Sequence, residues 1–111
     1  MRRTAAGLAM VSIALMNCHA AFAADHEVAL AIRNNRFEPA EIRVPAGQKV
    51  RLVVRNLDAA AEEFESHELN REKVIAAGAS ATIYIGPLSP GRYPFYGEFH
   101  ESTARGAVIA E

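Results

Sequence analysis

Short runs in which apolar and polar residues alternate follow one another along most of the chain. The run QKVRLVVRN (48–56) shows this best, because Val50, Leu52 and Val54 alternate with charged neighbours. A period of two places the apolar side chains on one face of a strand, so each run predicts a half-buried β-strand. Pro, Gly, Asn and Asp separate the runs, which is typical of antiparallel strands joined by turns. The predicted strands cover residues 27–33, 40–44, 48–56, 81–86, 92–97 and 106–110.

This series of strands predicts an all-β protein. No segment has helical periodicity, apart from one helical turn predicted around residues 67–73. About six to eight strands in a chain of this length favour a Greek-key β-sandwich. The sequence has no linker, internal repeat or low-complexity segment, and we therefore expect residues 24–111 to form one domain.

The first residues differ from the rest. Arg2 and Arg3 precede an apolar run, Ala5 to Met16, and Ala21-Phe22-Ala23 follows as a small-residue cleavage signal. This order predicts a secretory signal peptide, residues 1–23, whose apolar run is too short to span a bilayer. We expect the mature chain to be periplasmic and to have no membrane span.

Cleavage there would remove every sulfur atom. Cys18 and all three methionines lie within residues 1–23 of the 111-residue chain, and 88 residues remain. Such a chain forms no disulfide and offers no thiolate or thioether to a metal. Lipidation at Cys18, in a weak lipoprotein-like sequence, is the minor alternative to cleavage after Ala23.

The charge of the mature chain is mildly acidic. Without Arg2 and Arg3 it has 10 Lys and Arg against 13 Asp and Glu, a net charge of −3. This balance argues against a nucleic-acid partner. The acidic residues concentrate in EEFESHE (62–68), which has four carboxylates within seven residues.

Two longer segments resemble, in order, the two halves of a cupredoxin. NNRFEPAEIRVPAGQKVRLVVRNLD (34–58) has the Phe-x-Pro segment, the Val-Pro-Ala-Gly turn and the Asn-x-Asp ending of the first half. IGPLSPGRYPFYGEFH (85–100) has the Pro-Gly turn, the Tyr-x-Phe strand and the histidine loop of the second half. The resemblance covers residues 27–111 and implies the cupredoxin fold.

By this resemblance, the four ligand positions of a blue copper protein fall on Glu62, Gly97, His100 and Ala104. His100 is retained, Glu62 replaces the other histidine, and both sulfur ligands are absent. A blue copper site depends on a thiolate together with imidazole. Composition therefore excludes electron transfer through type 1 copper.

The run EEFESHELNREKVI (62–75), followed by GPLSPGRYPFYGEFHESTARG (86–106), is similar to EfeO-type cupredoxin-like domains. These include the small periplasmic cupredoxin-like (FtrB-like) proteins that accompany bacterial ferrous-iron permeases. The resemblance implies a role in ferrous-iron acquisition with copper and/or iron bound. It also implies an inner-membrane iron permease and periplasmic iron-uptake components as partners. A binding or accessory role is the main expectation; the enzymatic alternative is oxidation of Fe²⁺, and no catalytic residue is assigned.

Glu62 and His100 are the main candidates for direct metal ligands. In the cupredoxin register Glu62 faces the core, whereas Glu63 and Glu65 face outward. A buried carboxylate needs a partner, which a metal or an arginine would supply. We favour the metal and expect His100 to lie close to Glu62.

Other acidic residues at the same end of the chain are candidates for a supporting role. Carboxylates combined with imidazole suit harder ions such as Fe²⁺, Fe³⁺ or Mn²⁺. The same side chains would equally serve as a docking surface for a basic partner, since charges at an interface rim steer encounter. A protein-interaction module without a metal is therefore the alternative function, and a copper carrier is the least favoured. These further oxygen donors are Glu63, Glu65, Glu98 and Glu101.

Cleavage after Ala23 would also expose a second metal-binding sequence. Ala24-Asp25-His26 would then offer a free amine, two backbone amides and an imidazole, which bind Cu²⁺ or Ni²⁺ in a square plane. A frayed terminus without a metal is the alternative.

Overall fold

The structure is a computed structural model that describes residues 26–111 and, before them, residues 2, 4–7 and 9–14. The predicted cleavage site after Ala23 lies outside the described residues. Nine strands occur in the described part: β1 (His26–Arg33), β2 (Arg36–Glu38), β3 (Glu41–Val44), β4 (Val50–Asn56), β5 (Glu62–Ser66), β6 (Arg71–Ile75), β7 (Ser80–Ile85), β8 (Gly91–Gly97) and β9 (Arg105–Ala110). One 3₁₀ turn, Glu98–His100, follows β8. Among these residues no helix has the length and hydrophobicity needed to cross a membrane.

The strands form two sheets, which confirms the all-β sandwich. The orders are β2-β1-β4-β7 and β3-β9-β8-β5-β6. The expectation of antiparallel pairing is wrong for two pairs, because β1 runs parallel to β4 and β3 runs parallel to β9. Alternation reports which face of a strand is buried and says nothing about the direction of its neighbour. Both parallel pairs join strands that are distant in the chain, as parallel pairing requires.

Three strands lie outside the six that alternation predicts: β2, β5 and β6. β2 is only three residues long, β5 belongs to the acidic run of residues 62–68, and β6 forms in the segment for which the sequence predicts a helical turn. The structure has a turn at residues 67–70 and then enters β6. β6 lies at the edge of the five-stranded sheet, where charged residues are favoured because they prevent further strand pairing. Four of its five residues are exposed, so it lacks the alternation that marks the other strands.

Three phenylalanines pack at the centre of the sandwich. The Phe37 ring lies 6.1 Å from that of Phe64 and 4.9 Å from that of Phe95, both edge to face. Phe64 and Phe95 stack with their centroids 5.0 Å apart. Phe64 is fully buried. This packing fixes β5 in the sheet, and β5 carries acidic residues on both sides of Phe64.

Candidate metal centre

The Asn-x-Asp sequence organises the loops at the end of the sandwich where the resemblance places the metal. Asn56 is fully buried, and its side-chain amide donates to the carbonyls of Ala60 and Ile75. The Asp58 carboxylate accepts from the backbone amides of Asn34 and Asn35, at 2.7 and 2.9 Å. These bonds fix the loop that leads into β5.

Glu62 and His100 meet at this end of the sandwich. Glu62 is 1% exposed, and its Oε2 lies 2.5 Å from Nδ1 of His100. Its Oε1 accepts from the backbone amides of Phe99 and Glu63, both at 3.0 Å. Because a carboxylate oxygen accepts, we assign the imidazole proton to Nδ1, which donates. The partner of Glu62 is thus His100, and none of the ion pairs found among the described residues joins it to an arginine.

The Glu62 carboxylate fills the space that a side chain at Gly97, the position matched to the cysteine of blue copper proteins, would need. A Cβ atom at Gly97 would lie 2.6 Å from Cδ of Glu62 and 2.7 Å from Cβ of Ala104. Residues 26–111 contain no cysteine or methionine. A blue copper centre needs a thiolate, and this end of the sandwich has neither the sulfur nor the room for it. The residues present therefore do not fit type 1 copper.

A second acidic site lies on the other face of β5. Four carboxylates contribute one oxygen each, and these oxygens all lie within 4.8 Å of one another. Two of the side chains come from β5, one from β6 and one from the 3₁₀ turn. Strand register explains the approach, because Glu65 lies directly opposite Glu72 on β6. We call this group the carboxylate cluster: Glu63, Glu65, Glu72 and Glu98.

Glu63 is the most constrained member of the carboxylate cluster. It is only 7% exposed, and its Oε1 is buried without a hydrogen-bond partner. The neighbouring Glu72 carboxylate, then burial, then Glu98 and Glu65 raise the pKa of Glu63 to about 8. None of the ion pairs seen in residues 26–111 involves the cluster. Four carboxylates this close repel one another, so the site requires a shared proton or a cation.

Tyr96 borders the cluster on β8. It lies opposite Glu65, and its hydroxyl is 3.3 Å from Nε2 of His67. Burial, followed by the charges of Glu65 and Glu101 and then of the other nearby carboxylates, raises the pKa of the Tyr96 phenol. The phenol therefore keeps its proton and adds no further negative charge to the cluster.

The structure divides the candidate ligands into two groups. Glu62 lies with His100 on the core side of β5, whereas Glu63, Glu65 and Glu98 lie in the carboxylate cluster on the other side. Glu101 is exposed and belongs to neither group, although its charge acts on Tyr96.

Glu72 is the member that sequence reasoning missed. It belongs to the charged run Arg71-Glu72-Lys73, which gives no strand signal by itself. Glu72 lies two residues before Val74 and so shares its face, and only the pairing of β6 with β5 brings that face beside Glu63 and Glu65.

His26 begins β1, and its backbone amide donates to the carbonyl of Lys49 at 3.1 Å. A square-planar terminal site would use that same amide nitrogen and would break this hydrogen bond. Ala24 and Asp25 lie outside the described residues, so the terminal site stays a prediction.

Comparison with known proteins identifies the family. The family model described as "Cupredoxin-like domain" matches residues 6–110. The chain belongs to this family. An uncharacterized protein of Rickettsia prowazekii (strain Madrid E) is 43% identical to this cupredoxin-like chain over 83 residues. The match covers 75% of this chain and 66% of that relative, slightly less than two thirds of its length.

Solved structures with the same fold include copper proteins. Auracyanin A, a "blue" copper protein of Chloroflexus aurantiacus, has a TM-score of 0.69 at 12% identity and covers 79% of this chain and 100% of its own. The metal binding domain of the Cu(I)-exporting P-type ATPase CopA of Streptococcus pneumoniae D39, solved with Cu(I), has a TM-score of 0.68 at 15% identity and covers 77% and 84%. Amicyanin of Paracoccus versutus has a TM-score of 0.59 at 18% identity and covers 77% and 81%. At these identities the likeness shows the fold. Together with the carboxylate cluster, this family supports a metal-related role.

Proposed function

We propose that this protein binds a hard cation, with iron as its cargo, at the carboxylate cluster and serves as a periplasmic accessory protein of ferrous-iron acquisition. The observation that carries the proposal is the Glu63 carboxylate. It is buried, its Oε1 has no hydrogen-bond partner, and it faces three further carboxylates. A bound cation would remove the repulsion and give Oε1 a partner, whereas a proton neutralises one charge only.

The donor set favours hard cations over copper. All four donors are carboxylate oxygens, the ligands preferred by Mg²⁺, Ca²⁺ and Mn²⁺ and well suited to iron. A Cu⁺ carrier usually relies on cysteine or methionine, and residues 26–111 have neither. The choice of iron among the hard cations rests on the similarity of residues 62–75 and 86–106 to EfeO-type domains.

That similarity also supplies the proposed biological setting. The protein would receive Fe²⁺ or Fe³⁺ outside the inner membrane and deliver it to an iron permease, together with other iron-uptake components. Three of the four carboxylates are at least partly exposed, so a cation bound there can be reached by a partner protein. The proposed role is binding and delivery.

The test is equilibrium dialysis of the purified protein against Fe²⁺ without oxygen, with Mn²⁺ as a stable substitute. We expect one cation per chain, and we expect Glu63→Gln to lower the affinity by more than about 100-fold, since loss of a supporting residue alone costs about 10- to 100-fold. The matched control is Glu68→Gln, an exposed carboxylate in the turn after β5 and outside the cluster. It should bind as the wild type does.

The delivery role needs a cellular measurement. Cells that carry Glu63→Gln should take up iron as slowly as cells without the protein, and cells that carry Glu68→Gln should take it up normally. Failure of the wild-type protein to bind either cation would contradict the proposal and favour the interaction module. Cation binding without any effect on iron uptake would mean that the protein binds metal in another process and would contradict the delivery role.

A further inference from the structure

The Glu62–His100 pair and the carboxylate cluster are built on the same two backbone segments. Glu62 and Glu63 are neighbours on β5, and Glu98 and His100 both belong to the 3₁₀ turn. Neighbouring residues of a strand point to opposite faces. The pair therefore joins β5 to the 3₁₀ turn on the core side, and the cluster joins the same two segments on the outer side.

Glu62 makes three hydrogen bonds, and two of them hold the 3₁₀ turn. Oε2 accepts from His100, and Oε1 accepts from the amide of Phe99, the residue that follows Glu98. The third bond, from the amide of Glu63, fixes the neighbouring cluster residue. Hydrogen bonds to a carboxylate are roughly twice as strong as neutral ones, and burial strengthens them further. The turn begins at Gly97 without a side-chain cap; backbone hydrogen bonds join Gly97 to Ala104 and Ala104 to His100, and the Glu62 carboxylate ties the turn itself to β5.

The pair is poorly suited to bind a metal directly. The Glu62 carboxylate is already bonded through both oxygens, and Nδ1 of His100 is used as a donor, so Nε2 of His100 carries the one nitrogen lone pair that the pair could offer to a metal. Within the part of the chain that the structure describes, the carboxylate cluster is the only group of three or more potential ligand side chains close enough to share an ion. Among residues 26–111 no third side chain of this kind lies close enough to share an ion with the pair.

We propose that the Glu62–His100 pair positions Glu98: it holds the 3₁₀ turn against β5 and so keeps the Glu98 carboxylate in the cation site. The position at which the family's copper proteins carry a ligand thus supports a different site on the opposite face of the strand. This inference rests on the proposed function, because it assigns the pair a role in that same site. Glu62 and His100 are positioning residues, and the carboxylate cluster binds the cation.

The experiment is a double-mutant cycle on Mn²⁺ affinity, with His100→Leu and Glu98→Gln. His100→Leu removes the donor to Glu62 and should lower the affinity about 10-fold or more, as is typical when a residue that orients a ligand is lost. In the Glu98→Gln background the same change should have little further effect, because the carboxylate to be positioned is already gone. His100→Asn has nearly the shape of His100→Leu but keeps an N–H donor, and it should recover most of the affinity.

Thermal midpoints and circular dichroism of every variant separate positioning from unfolding. A general loss of structure would lower the Mn²⁺ affinity equally with and without Glu98, and the asparagine variant would not rescue it. If His100→Leu does not fold, Glu62→Gln carries the same cycle, because it keeps the size of the side chain and removes its charge. His67→Leu, an exposed histidine outside the cluster, is the control and should bind Mn²⁺ normally.

Two results would overturn the inference: wild-type affinity in His100→Leu and Glu62→Gln, or equal losses in the presence and absence of Glu98. If the wild-type protein binds two metal ions per chain and these variants bind one fewer, Glu62 and His100 are direct ligands. That result would also contradict the inference. Failure of the proposed function looks different. In that case neither the wild-type protein nor the His67→Leu control would bind Mn²⁺.

Discussion

At the scale of single residues, one substitution pattern explains why this cupredoxin-like chain has no blue copper centre. By the resemblance to blue copper proteins, Gly97 stands at the position of their cysteine, and the Glu62 carboxylate occupies the space that a side chain at Gly97 would need. The residue types at positions 62 and 97 are therefore coupled, because the Glu62 side chain fits only where residue 97 has no side chain. The sequence reveals that both ligands are changed, but only the structure shows that one change fills the space of the other.

This coupling predicts the effect of a small side chain. Gly97→Ala should lower the free energy of unfolding by about 1–3 kcal/mol, the usual cost of overpacking a well-packed site. Gly91→Ala, on the same strand, is the matched control, because its Cβ would approach other atoms no closer than 3.7 Å. Chemical denaturation measures both. If Gly97→Ala lowers the free energy of unfolding by the same amount in the wild type and in a Glu62→Ala background, the two positions are not coupled.

The pKa of Glu63, raised to about 8, predicts how the stability of the metal-free protein depends on pH. The native state holds this proton more tightly than the unfolded chain does, so the contribution to stability is complete below the ordinary pKa and is lost as the pH rises toward 8. Glu63→Gln has no carboxyl group at this position, so it does not lose this stability as the pH rises. Its thermal midpoint, measured with a chelator present, should exceed that of the wild type at pH about 8 and by much less at pH about 5. A constant difference between the two proteins across this range would contradict the assigned pKa.

At the scale of elements, the strands differed in how well the sequence predicted them. β4 and β7 alternate clearly because each has one face against the core. β6 could not be recognised, since only Ile75 of its five residues is buried. The face of β5 that carries Glu63 and Glu65 was predicted from its register. The fourth carboxylate was not, because Glu72 joins the cluster only through the pairing of β5 with β6.

The pairing of β5 with β6 predicts the effect of reversing one charge. Glu72→Lys places an ammonium group opposite Glu65 and should stabilise the metal-free protein by about 0.2–1 kcal/mol, as cross-strand pairs of opposite charge do. The same lysine should abolish Mn²⁺ binding by taking the place of the cation. The control Glu68→Lys makes the same change of net charge outside the cluster and should leave Mn²⁺ binding intact. Mn²⁺ binding that survives in Glu72→Lys would remove Glu72 from the site.

At the scale of the whole molecule, β5 has one face toward the core of the sandwich and the other toward the carboxylate cluster. Phe64 anchors β5 in the core between two outward-facing glutamates, and Glu62, on the same face as Phe64, binds the 3₁₀ turn. The fold was predictable because the ordered motifs of residues 34–58 and 85–100 resemble a known family. The division of the acidic residues between two faces depends on packing and on the path of the turn, which the order of residues alone does not reveal.

The central claim is that the cation binds at the carboxylate cluster. Anomalous diffraction from crystals of the protein soaked in Mn²⁺ tests the position directly. We expect one strong peak within bonding distance of the carboxylate oxygens of Glu63, Glu65, Glu72 and Glu98, and no peak between Glu62 and His100. A peak between Glu62 and His100, or a cluster that stays empty at saturating Mn²⁺, would contradict it.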